Sequence, residues 1–166
     1  MIDYYLKEGM TIDLRIRQLG DPVLRLRAAP VKKIDQRLKE LMNRMLEGMK
    51  EAQGVGLAAP QVGISQRFFV VQLEDETYRL VNPEIIETGG RELAEESCLS
   101  VPERSGLVPR WEWVRLKALN AEGEEVVIEA EGLLARVFQH EHDHLEGRLF
   151  IDLVGSDDPL PKIEGD

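Results

Sequence analysis

The chain has one cysteine, Cys98, so no disulfide can form within it. No apolar run approaches the ~20 residues that a membrane-spanning helix needs. The opening MIDYYLKEGM lacks the basic-then-apolar order of a secretion signal, which points to a cytoplasmic protein with no membrane association. Positive charge is scarce: the formal net charge is −10, and Lys and Arg form no stripe beside an aromatic platform. Direct binding to nucleic acid is therefore not expected. Internal repeats and low-complexity segments are absent too. What remains is an ordinary soluble composition, 43% hydrophobic and 31% charged, over 166 residues. That length suits a single domain, residues 1–166, with about ten residues at each end expected to be flexible.

Helical spacing of Leu38, Leu41, Met42, Met45, Leu46 and Met49 predicts an N-terminal helix. Asp35 caps its start, and it runs to about Gln53. The methionines read as core packing. Gly54 and Gly56 then open an irregular segment. Strands are expected at 67–73, at 78–81 (stopped by Asn82-Pro83), at 114–119 and at 125–130. A second helix is expected from about Leu133 to Glu146, closed by Gly147, and the proline-containing tail after Asp152 should fray. This order gives an α+β fold, with mainly antiparallel sheets packed around a C-terminal helix and with an N-terminal helix.

All three histidines fall within five residues: His140, His142 and His144. His140-Glu141-x-x-His144 is the pattern by which a helix presents two metal ligands and a base. His140 and His144 are one turn apart and share a face; His142 points away. Glu141 lies about 100° round from His140, close enough to reach a water on the metal. Leu133 and Val137 share the histidine face, which sets an apolar wall beside the metal; the plainer reading is that they pack on the sheet.

Two protease classes fail. The position of a third metzincin histidine is Phe150, and the only glutamate in reach for a thermolysin-like site is Glu164, near the end of the tail. Cys98, in Glu96-Ser97-Cys98-Leu99-Ser100, is the better third ligand, although a lone cysteine is more often a small buried hydrophobe. Three protein ligands leave a position for water, the mark of a catalytic site.

Gly54-Val55-Gly56-Leu57-Ala58-Ala59-Pro60-Gln61, Glu96-Ser97-Cys98-Leu99-Ser100 and His140-Glu141-His142-Asp143-His144 resemble, in order and spacing, the three motifs of peptide deformylases. The resemblance extends from about Ile16 to Asp152. It implies a metal-dependent hydrolase that removes the N-formyl group from the N-terminal formylmethionine of newly made proteins and releases formate. By the same resemblance, Cys98, His140 and His144 would bind one divalent ion, Fe2+ in this family, with Zn2+, Ni2+ or Co2+ possible in a purified sample. Glu141 would be the general acid/base acting on the attacking water. Gln61 and the backbone N–H of Leu99 would hold the oxyanion, while Val55 and Gly56 would pair with the substrate backbone. The partner would be an N-formylmethionyl peptide or nascent chain, with transient proximity to the ribosome.

One departure stands out: Ser97 occupies the position before the cysteine where the family usually has glycine. It is harmless if the backbone there is extended. Two other classes stay open on sequence: an inert metal-binding module of the same descent, and a metallopeptidase acting on other peptide ends. Arg110 is a candidate partner for Glu96.

Overall fold

The structure, a computed structural model, describes residues 14–161. The expected flexibility of the first ten residues lies outside this range.

Asp35 caps helix α1 (Gln36–Glu51): its carboxylate accepts from the Leu38 N–H at 3.0 Å. Seven strands follow: β1 (Gly56–Ala58), β2 (Phe68–Leu73), β3 (Glu76–Gly89), β4 (Glu92–Cys98), β5 (Val101–Arg110), β6 (Trp113–Leu119) and β7 (Glu125–Glu131). Helix α2 (Gly132–Leu145) completes the main elements. Five strands form one antiparallel sheet in the order β1-β2-β3-β6-β7, and β4 and β5 form a separate antiparallel pair. The architecture is thus α+β with antiparallel sheets.

Strand β2, Phe-Phe-Val-Val-Gln-Leu, explains how the layers meet. Alternate side chains of a strand point to opposite faces. Phe68 and Val70 join the cluster that contains the apolar stripe of α1, and Phe69 and Val71 join Val137, Phe138 and Leu145 of α2. An unbroken apolar run buried on both sides is the result, and β2 is the seam between the two helices. A third cluster (Leu24, Val101, Val108, Leu149, Phe150, Leu153) supports the β4–β5 pair.

Three expectations are corrected. First, Asn82-Pro83 does not end a strand, because β3 runs through it to Gly89. Asn82 takes a left-handed φ of 50° at a register shift, which gives proline a place where no ladder N–H is needed. The Asn82 side chain holds the bend: its carbonyl accepts from Val31 N–H (2.8 Å) and its amide donates to the Val31 carbonyl (2.9 Å). Asn82→Ala removes both bonds and should destabilise the fold by about 1–3 kcal/mol in denaturant titrations, with metal content unchanged. Second, the segment after α1 is not wholly irregular, since Gly56–Ala58 adds an edge strand to the sheet. Third, the tail beyond Asp152 is packed as far as it is described. Leu153 is buried, Leu160 packs on the third cluster, and Trp111 Nε1 donates to the Pro161 carbonyl at 2.9 Å. Gly147, with φ +76°, follows the end of α2, and a Cβ there would lie 2.6 Å from the Arg25 carbonyl. Among the described residues no helix is long and apolar enough to cross a membrane.

Candidate active site

Three elements converge on one cleft of about 690 Å³. Helix α2 brings His140, Glu141 and His144, strand β4 ends on Cys98, and a short 3-10 turn, Ala59–Val62, carries Gln61. The donor atoms of Cys98, His140 and His144 lie within 4.8 Å of one another. Cys98 Sγ is 3.4 Å from His144 Nε2. Sulfur and nitrogen on one tetrahedral metal ion are about 3.6 Å apart, given bond lengths near 2.3 and 2.1 Å. That pair is spaced as two donors of a single ion would be, and His140 lies close enough to join them.

The surroundings fit as well. Glu96 Oε1 lies 2.8 Å from His140 Nδ1, the carboxylate–histidine contact that orients a ligand ring and leaves its Nε2 for the metal. Arg110 does pair with Glu96, gripping it from Nε (2.8 Å) and Nη2 (2.9 Å), while its Nη1 donates to Asp143 (2.5 Å). Burial disfavours the Glu96 anion, but the bonds from Arg110 and His140 outweigh it and hold the carboxyl well below the usual range. Phe150, in the position of a third metzincin histidine, stacks on the His140 ring with centroids 6.3 Å apart. His144 lacks a carboxylate of this kind among the described residues: its Nδ1 is buried and unpaired.

Glu141 is 3% exposed, and its Oε2 has no partner among the described residues. Burial pushes its carboxyl up to about 7. A cation on the neighbouring trio would draw it back down. The other oxygen explains Gly56, where a Cβ would come within 2.5 Å of Glu141 Oε1. The glycine is there because the carboxylate lies against the backbone.

Gln61 is 1% exposed and its orientation is settled by its partners. Oε1 accepts from the Ala58 N–H (2.9 Å), which turns the amide nitrogen toward Ser100 Oγ (3.1 Å) and Cys98 Sγ (3.6 Å). The amide nitrogen thus lies between Ser100 and Cys98, one of the three clustered donors. Leu99 lines the cleft and covers Gly54, where a Cβ would lie 2.8 Å from Leu99 Cδ1. Leu133, Val137 and Val55 also line the cleft. The Val55 carbonyl accepts from Gln72 N–H at 2.9 Å, so it serves the sheet. Strand residues alternate the edge to which they turn their backbone groups, so Gly56 faces the open edge of β1. Ser97 lies in β4 and is not among the residues with positive φ, so serine is accommodated without strain.

His142 stands apart from the trio but is not solvated: it is 6% exposed, and burial lowers its pKa to about 4. His142→Ala should therefore leave metal content and turnover near parental while lowering stability by roughly 1–2 kcal/mol. Metal analysis beside a melting curve checks both halves, and metal loss would contradict the geometry. Sequence reasoning missed Ser100, whose hydroxyl steadies Gln61, and Arg136, whose pattern on α2 resembles that of any solvated helix residue.

Among the described residues, three donors close enough to share one metal ion stand beside a buried carboxylate with one unpartnered oxygen, an arrangement suited to hydrolysis. Residues 13–159 match the sequence model of the polypeptide deformylase family. A peptide deformylase of Halothermothrix orenii is 54% identical over 143 residues, 85% of this chain and 93% of that protein. The crystal structure of peptide deformylase from Thermotoga maritima superposes with a TM-score of 0.83 at 53% identity, covering 85% of this chain and 97% of that one. A Synechococcus elongatus peptide deformylase, solved in complex with actinonin, gives a TM-score of 0.84 at 43% identity, covering 89% and 82%. The chain belongs to the polypeptide deformylase family, hydrolases that remove the N-formyl group from newly made peptides.

Proposed function

We propose that this protein releases formate from the N-terminal formylmethionine of nascent chains, using one divalent ion held by Cys98, His140 and His144. The observation that carries this reading is the placement of Glu141: a buried carboxylate with a free oxygen, next to the donor trio and against Gly56. A divalent ion bound to the trio supplies Lewis acidity, lowering the pKa of a water and polarising the formyl carbonyl.

Glu141 takes the proton of the attacking water and returns it to the departing amine nitrogen, worth typically ~10²–10⁴ in rate. The Gln61 amide, one of the groups that line the cleft, donates to the developing oxyanion with the Leu99 N–H as second donor. One such donor is typically worth about 10²–10³ in turnover. The open edge of β1 at Gly56 positions the substrate backbone, and Val55, whose carbonyl is held by β2, lines the cleft beside it. Leu133 and Val137 form the apolar wall that takes the methionine side chain. Fe2+ is the expected native ion, with Zn2+, Ni2+ or Co2+ able to occupy the same donors. The setting is the cytoplasm, close to the ribosome that delivers the substrate.

The test is formate release from formyl-Met-Ala-Ser by protein loaded with Fe2+ or Ni2+. Release should stop on chelation and return on reloading, and unformylated Met-Ala-Ser should stay intact. Folded, metal-loaded protein that releases no formate above the buffer rate would overturn the proposal.

A further inference from the structure

The three donors come from two bodies. His140 and His144 ride on α2, whose backbone packs chiefly against β1, β2 and β7. Cys98 ends β4, in the separate strand pair. Something must hold the pair against the helix, because a ligand set spread over two bodies is only as rigid as the link between them. Arg110 of β5 does part of this through Asp143 of α2, and Arg136 makes a second link from the helix side. It lies one turn before His140 on the same helix face, and it is 7% exposed. Its Nη1 donates to Glu96 Oε2 (2.6 Å) and to the Val108 carbonyl of β5 (2.9 Å), and its Nη2 donates to the Glu92 carbonyl of β4 (3.0 Å).

We propose that Arg136 is a positioning residue for the metal site. From α2 it clasps both strands of the pair and braces the carboxylate that orients His140, which fixes Cys98 relative to the two histidines. The geometry favours this over a general stabilising role. Glu96 is gripped by two residues of α2 one turn apart, Arg136 on Oε2 and His140 on Oε1, and it stands two residues before Cys98 on β4. A planar guanidinium is needed, because the three acceptors lie on three different residues and only a rigid fork reaches them together.

This inference rests on the reading that the trio holds a metal ion, and its test does not depend on the substrate. Arg136→Met keeps the side-chain bulk and removes every donor. The Co2+-loaded variant should lose its ion to excess chelator about 10–100-fold faster than the parent, the usual consequence of losing an outer partner of a metal site. The absorption of its Co2+–thiolate site should change as well. Arg136→Lys keeps the charge but not the fork and should release the ion at a rate between the two. In the Glu96→Gln background, Arg136→Met should add less than it costs alone, since part of its effect runs through that carboxylate and part through the two strand carbonyls.

A merely structural brace would lower the melting temperature and leave Co2+ release and absorption at parental values. That result in folded Arg136→Met overturns the proposal. Should Arg136→Met fail to fold, parental release from Arg136→Lys overturns it equally. Parent protein that holds Co2+ but frees no formate removes the proposed function and leaves this inference standing; parent protein that holds no Co2+ removes both.

Discussion

Glu141→Gln is expected to retain its metal ion and lose at least about 100-fold in turnover. The substitution keeps the length of the side chain and a hydrogen-bonding group at Oε1, so the close fit against Gly56 survives. It leaves Cys98, His140 and His144 untouched, so metal content per chain should equal that of the parent. It removes the carboxylate beside the trio that, among the described residues, has a buried oxygen without a partner. KM should change little, because Glu141 acts on water and on the leaving nitrogen, whereas Leu133 and Val137 receive the methionine. Steady-state assays with metal analysis on the same sample provide the check. A metal-loaded variant working near the parental rate would show that another group moves the proton.

Cys98→Ala should weaken metal affinity by more than the roughly 10–100-fold that loss of an outer partner costs, because a directly bound donor disappears. Turnover should fall in proportion to the lost ion. Two imidazoles on one helix face remain, but Cys98 is the one member of the trio that comes from the strand pair, and without it an ion would lose its hold on that half of the cleft. The fold should persist: Cys98 packs only at the margin of a cluster built by Leu24, Val101, Val108 and Phe150. Equilibrium dialysis with Co2+ or Zn2+, paired with a melting curve, separates loss of metal from loss of structure. Parental affinity in the folded variant would exclude Cys98 as a ligand.

Much of the site was legible in the chain because its chemistry is local. The spacing of His140 and His144 on a helix is set by the 3.6-residue period, and the glutamate between them needs no tertiary information to be noticed. The flanking glycines of the first motif told the same story, and the structure supplies the reason at Gly56, where the Glu141 carboxylate fills the space of a Cβ. His142 was harder. Its direction away from the trio follows from helix geometry, but its burial depends on the elements packed behind α2.

The amino-acid order by itself determined the elements whose pattern repeats along the chain. The apolar stripe of α1, the continuous run of β2 and the histidine spacing of α2 each carry their period within a dozen or so residues. The tertiary structure alone decided the strand pair β4–β5. Its sequences, ELAEESC and VPERSGLVPR, are too charged and too rich in proline and glycine to read as strands, and they become strands because each supplies the other's backbone partners. The passage of β3 through Asn82-Pro83 was likewise settled by Val31, 51 residues away, through two side-chain bonds. So was the role of Arg136, whose three acceptors lie 28 to 44 residues distant and meet only when helix and strand pair are brought together. Periodicity records which face of an element is buried; it carries no record of which distant carbonyl or carboxylate a buried donor will find.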